Sequence, residues 1–480
     1  MISSPRAVID IGSNAIRLVV YGGPPRAPMP IYNEKARIAL GESVARTGGI
    51  EPGLIEAAVA ALRRFDGLTQ AMQVEQRRVV ATEATRRANN SADFLAAAAD
   101  AGVPIELISG ETEALAAAMG VVCDMPSATG HVADQGGGSL ELARIGDAAV
   151  MQPVSMPFGT IPVSARTPLS AKQLAQDIEK RLANASTTPP EKGLPLHLVG
   201  GAWRTLGQLH MQMTGYPLAV LSNYAMAPDS IASLWEMVGN PEMLAASGVV
   251  SSARLPHMPA ALTTAEALVR LLRPSEVMVS VYGLREGLLY DQLSQSVRDE
   301  DPLIAAARHE GKRLSRFSYH GDAIADWIAP LFEAEPLEYQ RLRHAACLLA
   351  DCAWNSHPEY RCEHAAELAL EGNWPGMTAR DRAMLAAALF TAYGGNRPAP
   401  PLLGLLADAQ AIHAARRWGL AIRLAQRLDG GTGVALTATR LYQQDGQARL
   451  EYAPDFSHFA SSSVKRRLKQ LSEAMDAQIV

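Results

Sequence analysis

Cysteine is scarce in this chain and never closely paired. Cys123, Cys347, Cys352 and Cys362 are the only four in 480 residues. Without a CxxC step a zinc knuckle is not expected, and the low count fits a reducing compartment, so a cytoplasmic protein is expected. Three of the four lie near one another in sequence and read as small buried hydrophobes rather than metal ligands. No apolar run approaches the ~20 residues that span a bilayer, and Asp10 interrupts the first apolar segment, so neither a membrane span nor a secretory leader is read here. A basic excess is also missing. The formal net charge is -5, whereas a nucleic-acid binder usually carries a surplus of Lys and Arg. A polyanionic substrate must therefore be met by a local basic cluster or a metal. No GxxxxGK[ST] segment occurs, which excludes a P-loop protein.

With 48% hydrophobic and 19% charged residues the composition is that of a globular protein, and the length suggests roughly three domains. The segment "AVIDIGSNAIRLVVYGG" (7–23) is nearly continuous in β-branched residues except at Asp10-Ile11-Gly12-Ser13-Asn14. It reads as a buried hairpin, and its turn has two explanations. Gly, Ser and Asn are ordinary turn residues; equally, exposed N–H groups beside a carboxylate form a phosphate loop with a metal-facing acid. "HVADQGGGSLELARIG" (131–146) repeats the plan, with Asp134 before Gly136-Gly137-Gly138. Two such openings suggest duplicated halves facing each other.

Between and after them, helices are expected from Pro52, from Ser91 and from a cap at Ser109 or Gly110. Strands entering glycine turns and helices are expected in "LHLVGGAWRTLGQL" (196–209) and "EVMVSVYGLREGLLYDQL" (276–293), and a helix-rich stretch is expected between residue 146 and the first of these. Alternation of strands and helices to about residue 295 implies an α/β protein. From about 300 to 428 only helices rich in Ala, Leu and Arg are read. A hairpin turning at Asp445-Gly446 and an exposed helix follow.

In order, "DIGSN", "ATEATRRA", "ISGETEA", "DQGGGSLE" and "YGLREGLL" resemble the exopolyphosphatase/guanosine pentaphosphate phosphohydrolase (Ppx/GppA) family over residues 7–295, with weaker similarity beyond. The resemblance implies duplicated actin-like (ribonuclease H-like) α/β domains, then an all-α HD-like domain and a small α+β tail. The expected divisions are 1–125 (completed by 285–298), 126–285, 302–428 and 429–480. It implies that Glu113 is the general base activating water, where the alternative is a helix-start glutamate reaching back to the cap. Asp134 would hold Mg²⁺ with Glu141 as a second acid, Glu141 being otherwise an outward-facing strand residue. Gly12, Ser13, Asn14, Gly136, Gly137, Gly138 and Ser139 would cradle phosphate. Arg86 would neutralise transferring phosphate charge, or be a solvated helix-start arginine. Strand alternation leaves the direction of Arg17 open.

Two departures stand out. The family often has Arg-Ala-Asp where this chain reads Arg254-Leu255-Pro256-His257, and the His-Asp pair of an HD metal site is replaced by Ala350-Asp351, with His320 and His364 near other ligand positions. The helical part is therefore read as structural or polyphosphate-guiding. The activity implied is a Mg²⁺-dependent exopolyphosphatase acting on inorganic polyphosphate, as a homodimer without nucleic-acid or membrane partners. The alternatives are a guanosine pentaphosphate 5′-phosphohydrolase, an actin-fold ATP-dependent kinase or ATPase, and a noncatalytic anion sensor. Arg416, Arg417 and Arg423, with Lys465, Arg466, Arg467 and Lys469, either line a polymer path or form a solvated basic face.

Overall fold

The computed structural model describes residues 5–147, 149–166, 168–185 and 189–476. It divides into two compact units, Met1–Tyr216 with Leu221–Asp299, and Pro217–Val220 with Glu300–Val480.

The first unit holds two sheets of one design. In the first sheet β1 (Arg6–Ile11) pairs antiparallel with β2 (Ile16–Gly22), which pairs with β3 (Met29–Ala36). On its other side β1 runs parallel to β4 (Gln76–Ala81), and β4 to the short β5 (Glu106–Leu107), giving the order β3-β2-β1-β4-β5. In the second sheet β6 (Gly130–Gln135), β7 (Leu140–Gly146) and β8 (Ala149–Met156) repeat the antiparallel meander, and β9 (Leu196–Val199) and β11 (Val277–Val279) supply the parallel strands. A further edge strand, β10 (Tyr224–Met226), is antiparallel to β11. This is the duplicated ribonuclease H-like plan. The helix-rich stretch expected after residue 146 opens instead with β8, before the helices Thr160–Ser164 and Ala171–Ala185.

The near-continuous apolar character of β1 follows from burial on both faces. Ala7, Ile9 and Ile11 pack with Leu62, Phe65 and Phe94 from the helices Pro52–Ala71 and Ser91–Asp100. Val8 faces the other way, toward Ala116, Leu288 and Leu289. The helix Gly110–Asp124 carries Ala116 against the first sheet, while its Ala118, Val121 and Val122 pack against Val132, Ala143 and Val199 of the second. A helix between two sheets must be apolar almost all round, as this one is.

It also meets the helix Leu284–Asp291 at backbone distance. A Cβ on Gly287 would lie 1.7 Å from the carbonyl oxygen of Ala116, and one on Gly120 would lie 2.3 Å from that of Gly283. Only glycine allows this crossing, which fixes the start of both helices relative to the sheets.

The second unit is helical from Pro302 to Asp429 among the described residues. Its core is built on the helices Ala379–Gly394 and Ala409–Asp429, where Leu385, Ala386 and Trp418 are fully buried. β12 (Thr439–Gln444) and β13 (Gln447–Tyr452) form the expected hairpin, with Asp445 and Gly446 both at positive φ, 50° and 77°. The closing helix Ser462–Asp476 is exposed except for an apolar seam that buries Val464 and Leu471. The side chains at the HD-like positions go to separate partners. Arg316 donates to Asp351, His320 Nε2 lies 2.9 Å from Asp429, and His364 bonds Ser356. All four cysteines are buried free thiols.

The crossing makes a direct test. Gly287→Ala is expected to destabilise the protein by about 2 kcal/mol or more, because backbone must move to admit the methyl group. Gly67→Ala, at an exposed position of the helix Pro52–Ala71 with nothing near its Cβ, is expected to stabilise it by up to about 1 kcal/mol. Thermal melts of the two variants separate packing from helix propensity.

Candidate active site

The strand ends of the two sheets open on one cavity of about 410 Å³. Asp10 and Asp134 hold the same place in their sheets, the last position but one of β1 and of β6. In each hairpin the turn closes through the same bond. Gly12 N–H donates to Ala15 O at 3.1 Å, and Gly136 N–H donates to Ser139 O at 3.0 Å.

Register then decides which side chains join the aspartates. In an antiparallel pair, directly opposite residues project to the same face. Asp134 pairs with Glu141 and Glu141 with Ser155; Asp10 pairs with Arg17 and Arg17 with Lys35. Glu141 is accordingly not an outward-facing strand residue. It is 2% exposed, accepts a hydrogen bond from Ser155 Oγ at 2.7 Å and lines the cavity. The same rule turns Arg17 inward.

The two glycine turns meet. A Cβ on Gly137 would stand 2.8 Å from that of Ser13 and 3.1 Å from Asn14 Nδ2, and one on Gly138 would stand 2.6 Å from Glu83 Cγ. Neither position admits a side chain. The amides of Ser13, Asn14, Gly137 and Gly138 have no hydrogen-bond acceptor among the described residues, so the facing turns offer free donors to an anion.

Glu113 enters from the first turn of Gly110–Asp124, where Ser109 caps the helix by accepting from Thr112 N–H at 3.1 Å. Its carboxylate does not reach back to the cap. It accepts from Arg86 Nη1 at 3.0 Å. Arg86 also donates to Ile108 O at 2.8 Å and to Glu83 at 3.2 Å, and it does not line the cavity. In this arrangement the Arg86 guanidinium is bonded to Glu113, Glu83 and Ile108 O.

Sequence reasoning missed Arg204 and Arg285. The first lies in the helix after the Gly200–Gly201 turn and the second at the start of Leu284–Asp291. Both line the cavity, Arg285 donating to Asp10 at 3.3 Å. The strand–turn–helix signal of both segments was legible, but not which of their residues faces inward. Arg254 lines the cavity too, over Gly201.

Comparison with known proteins decides the kinship. The Ppx/GppA phosphatase family model matches residues 19–296, and the model of the exopolyphosphatase C-terminal region matches residues 303–479. The chain belongs to the Ppx/GppA phosphatase family. It is 27% identical over 433 residues to retrograde regulation protein 2 of Saccharomyces cerevisiae, covering 82% of this chain and 73% of that protein. It is 26% identical over 305 residues to exopolyphosphatase 1 of Mycobacterium leprae, covering 60% and 88%. Among solved structures, a Ppx/GppA family member from Aquifex aeolicus superposes with a TM-score of 0.53 at 24% identity, covering 60% of this chain and 97% of that one. An exopolyphosphatase from Cytophaga hutchinsonii gives 0.53 at 21%, with the same coverage. These two establish the shared fold.

Within this Ppx/GppA cavity Glu113 and Glu141 are buried and Asp10 and Asp134 half-buried, and that sets their chemistry. Burial raises the Asp10 carboxyl against the pull of Arg285 and Arg17. It raises Asp134 to about 6, opposed by Arg204 and reinforced by Asp10. Glu113 is raised by burial, and the Arg86 guanidinium offsets only part of it. Glu141 is raised as well, by burial and by the neighbouring Glu113 and Asp134. A helix N-terminus favours an ionised glutamate, and here desolvation outweighs that preference.

The linkage has a definite sign. Unfolded carboxylates titrate near 4, whereas these hold protons to higher pH, so the folded state binds more protons and loses stability as pH rises. In chelator, raising the pH from about 5 to about 8 is expected to lower the wild-type melting temperature relative to that of Glu141→Gln, which removes one buried charge. Parallel melting profiles for the two proteins would show that Glu141 is not held protonated.

Proposed function

We propose that the chain is a Mg²⁺-dependent exopolyphosphatase that removes the terminal phosphate of inorganic polyphosphate. The observation that carries this reading is the cavity itself, with free amides from two glycine turns and a buried glutamate held by an arginine. The kinship with exopolyphosphatase 1 supports it. Phosphoryl transfer asks the protein for positioning and charge stabilisation more than covalent help.

The donor set fits a hard divalent cation, which the family's phosphatases generally need. Asp134 and Glu141 offer carboxylate oxygens, and among the described residues no three His, Cys, Asp or Glu side chains gather into a self-sufficient metal site. That agrees with Mg²⁺, which takes one or two carboxylates and keeps water and phosphate oxygens for the rest. When bound, the ion neutralises charge on the phosphate oxygens.

The chain's own groups do the remainder. Ser13, Asn14, Gly137 and Gly138 hold the terminal phosphate by their N–H groups. Glu113 takes a proton from the attacking water, and its burial makes it a stronger base than a free glutamate, nearer the working pH of such an enzyme. Arg86 keeps that carboxylate aimed at the water. The Gly200–Gly201 turn, where an actin-fold kinase would hold adenosine, is covered here. A Cβ on Gly201 would lie 2.9 Å from Arg254 Nη2. A guanidinium there favours a phosphate over a nucleoside.

The test supplies polyphosphate, guanosine pentaphosphate and ATP separately, with and without Mg²⁺, and measures orthophosphate. Release is expected from polyphosphate with Mg²⁺; release from ATP alone would overturn the reading, and preference for guanosine pentaphosphate would replace the substrate. Glu113→Gln is expected to lower kcat by about 10²-fold or more while KM changes little. Asp134→Asn should raise the Mg²⁺ concentration at half-maximal rate, and an unmoved midpoint would remove Asp134 from the metal site.

A further inference from the structure

The two halves share a topology but fill the same cross-sheet row differently. In the second half the row is Asp134, Glu141, Ser155; in the first it is Asp10, Arg17, Lys35. Arg17 and Lys35 are thus like charges placed directly opposite on neighbouring strands, an arrangement that weakens a sheet. Arg37 follows two residues after Lys35, and Arg254 lines the same cavity. Arg17 Nε donates to Asn33 Oδ1 and Arg254 Nη1 to Thr205 Oγ1, both at 2.8 Å, so their bonds go to neutral acceptors. Glu42 also lines the cavity, but none of the four cations forms an ion pair with it or any other carboxylate among the described residues. Partial desolvation and then Arg254, Arg37, Arg17 and Arg285 lower the pKa of Lys35, which places all these cations within one another's field.

Such a row is costly for the fold alone and has one chemical use, to meet a second set of negative charges. β3 is the edge strand of its sheet, with Lys35 and Arg37 both exposed, so whatever lies along the row can continue outward. We propose that Lys35, Arg37 and Arg254 form a subsite for the departing chain, holding the phosphates beyond the one being cut along the β3 edge. The proposal rests on the polyphosphate reading above. It makes the cavity two-sided, with acids where bond cleavage occurs and cations where the leaving group sits. A longer chain gains contacts that a short one lacks.

The test compares full-length wild type with Lys35→Gln/Arg37→Gln on tripolyphosphate and on long-chain polyphosphate. Lys172→Gln/Lys180→Gln, which removes two exposed charges from the helix Ala171–Ala185, serves as the control. For the first variant kcat/KM on the long chain should fall about tenfold or more and on tripolyphosphate about threefold or less, as expected for losing charged contacts that only the longer substrate makes. Its rate on the long chain should also depend less steeply on salt. Equal losses on both substrates, or the same split in the control, would overturn the subsite and leave the exopolyphosphatase reading standing. A wild type that turns over neither substrate would instead sink that reading, and the subsite with it. Should the double variant melt well below wild type, Arg37→Gln alone carries the same comparison.

Discussion

Four carboxylates, Asp10, Glu113, Asp134 and Glu141, share one cavity, and their mutual repulsion constrains the groups around them. Strand register and a helix cap force them together, because each comes from a position the backbone has already fixed. Left alone, such a cluster keeps protons it would lose in water. Arg86, Arg204 and Arg285 each lean on one of these acids and offset part of the cost, but burial still prevails. A divalent cation, which the family's phosphatases generally need, would offset that repulsion in the way the proposed function requires. The site and the stability of the fold are therefore one electrostatic problem.

Duplication supplied the geometry, and divergence supplied the chemistry. Both hairpins keep an aspartate at the same strand position and the same closing bond in the turn. From there the rows part. One half continues with an acid and a serine that donates to it, the other with two cations. The glycine crossing of Gly110–Asp124 with Leu284–Asp291 holds the arrangement by setting where Glu113 and Arg285 begin their helices. A methyl group at Gly287 would move both.

Much of this was legible in the sequence. The two hairpins, the Ser109 cap, the all-helical stretch and the Asp445-Gly446 turn all follow from local patterns of residue type, and they stand as read. What was not legible depends on pairing. Whether Arg17 and Glu141 face in or out is decided by their partners across the sheet, and β3, β8 and β10 were not singled out because they lack strong alternation. Arg86 shows the same limit. Its segment identified the family, but its direction depends on Glu83, Ile108 and Glu113, which local sequence does not place. Arg204 and Arg285 sat inside recognised segments, yet nothing local marked them as cavity residues. The tail helix was read as exposed, and two residues on its inner seam are not.

The most direct measurement is a crystal structure of Glu113→Gln with a polyphosphate longer than tripolyphosphate and Mg²⁺. The account expects the terminal phosphate between the amides of Ser13–Asn14 and Gly137–Gly138, the ion on Asp134 and Glu141, and the remaining phosphates turned toward Lys35, Arg37 and Arg254. A chain that runs the other way, with its terminal phosphate on the cations and its tail over the acids, would contradict the account.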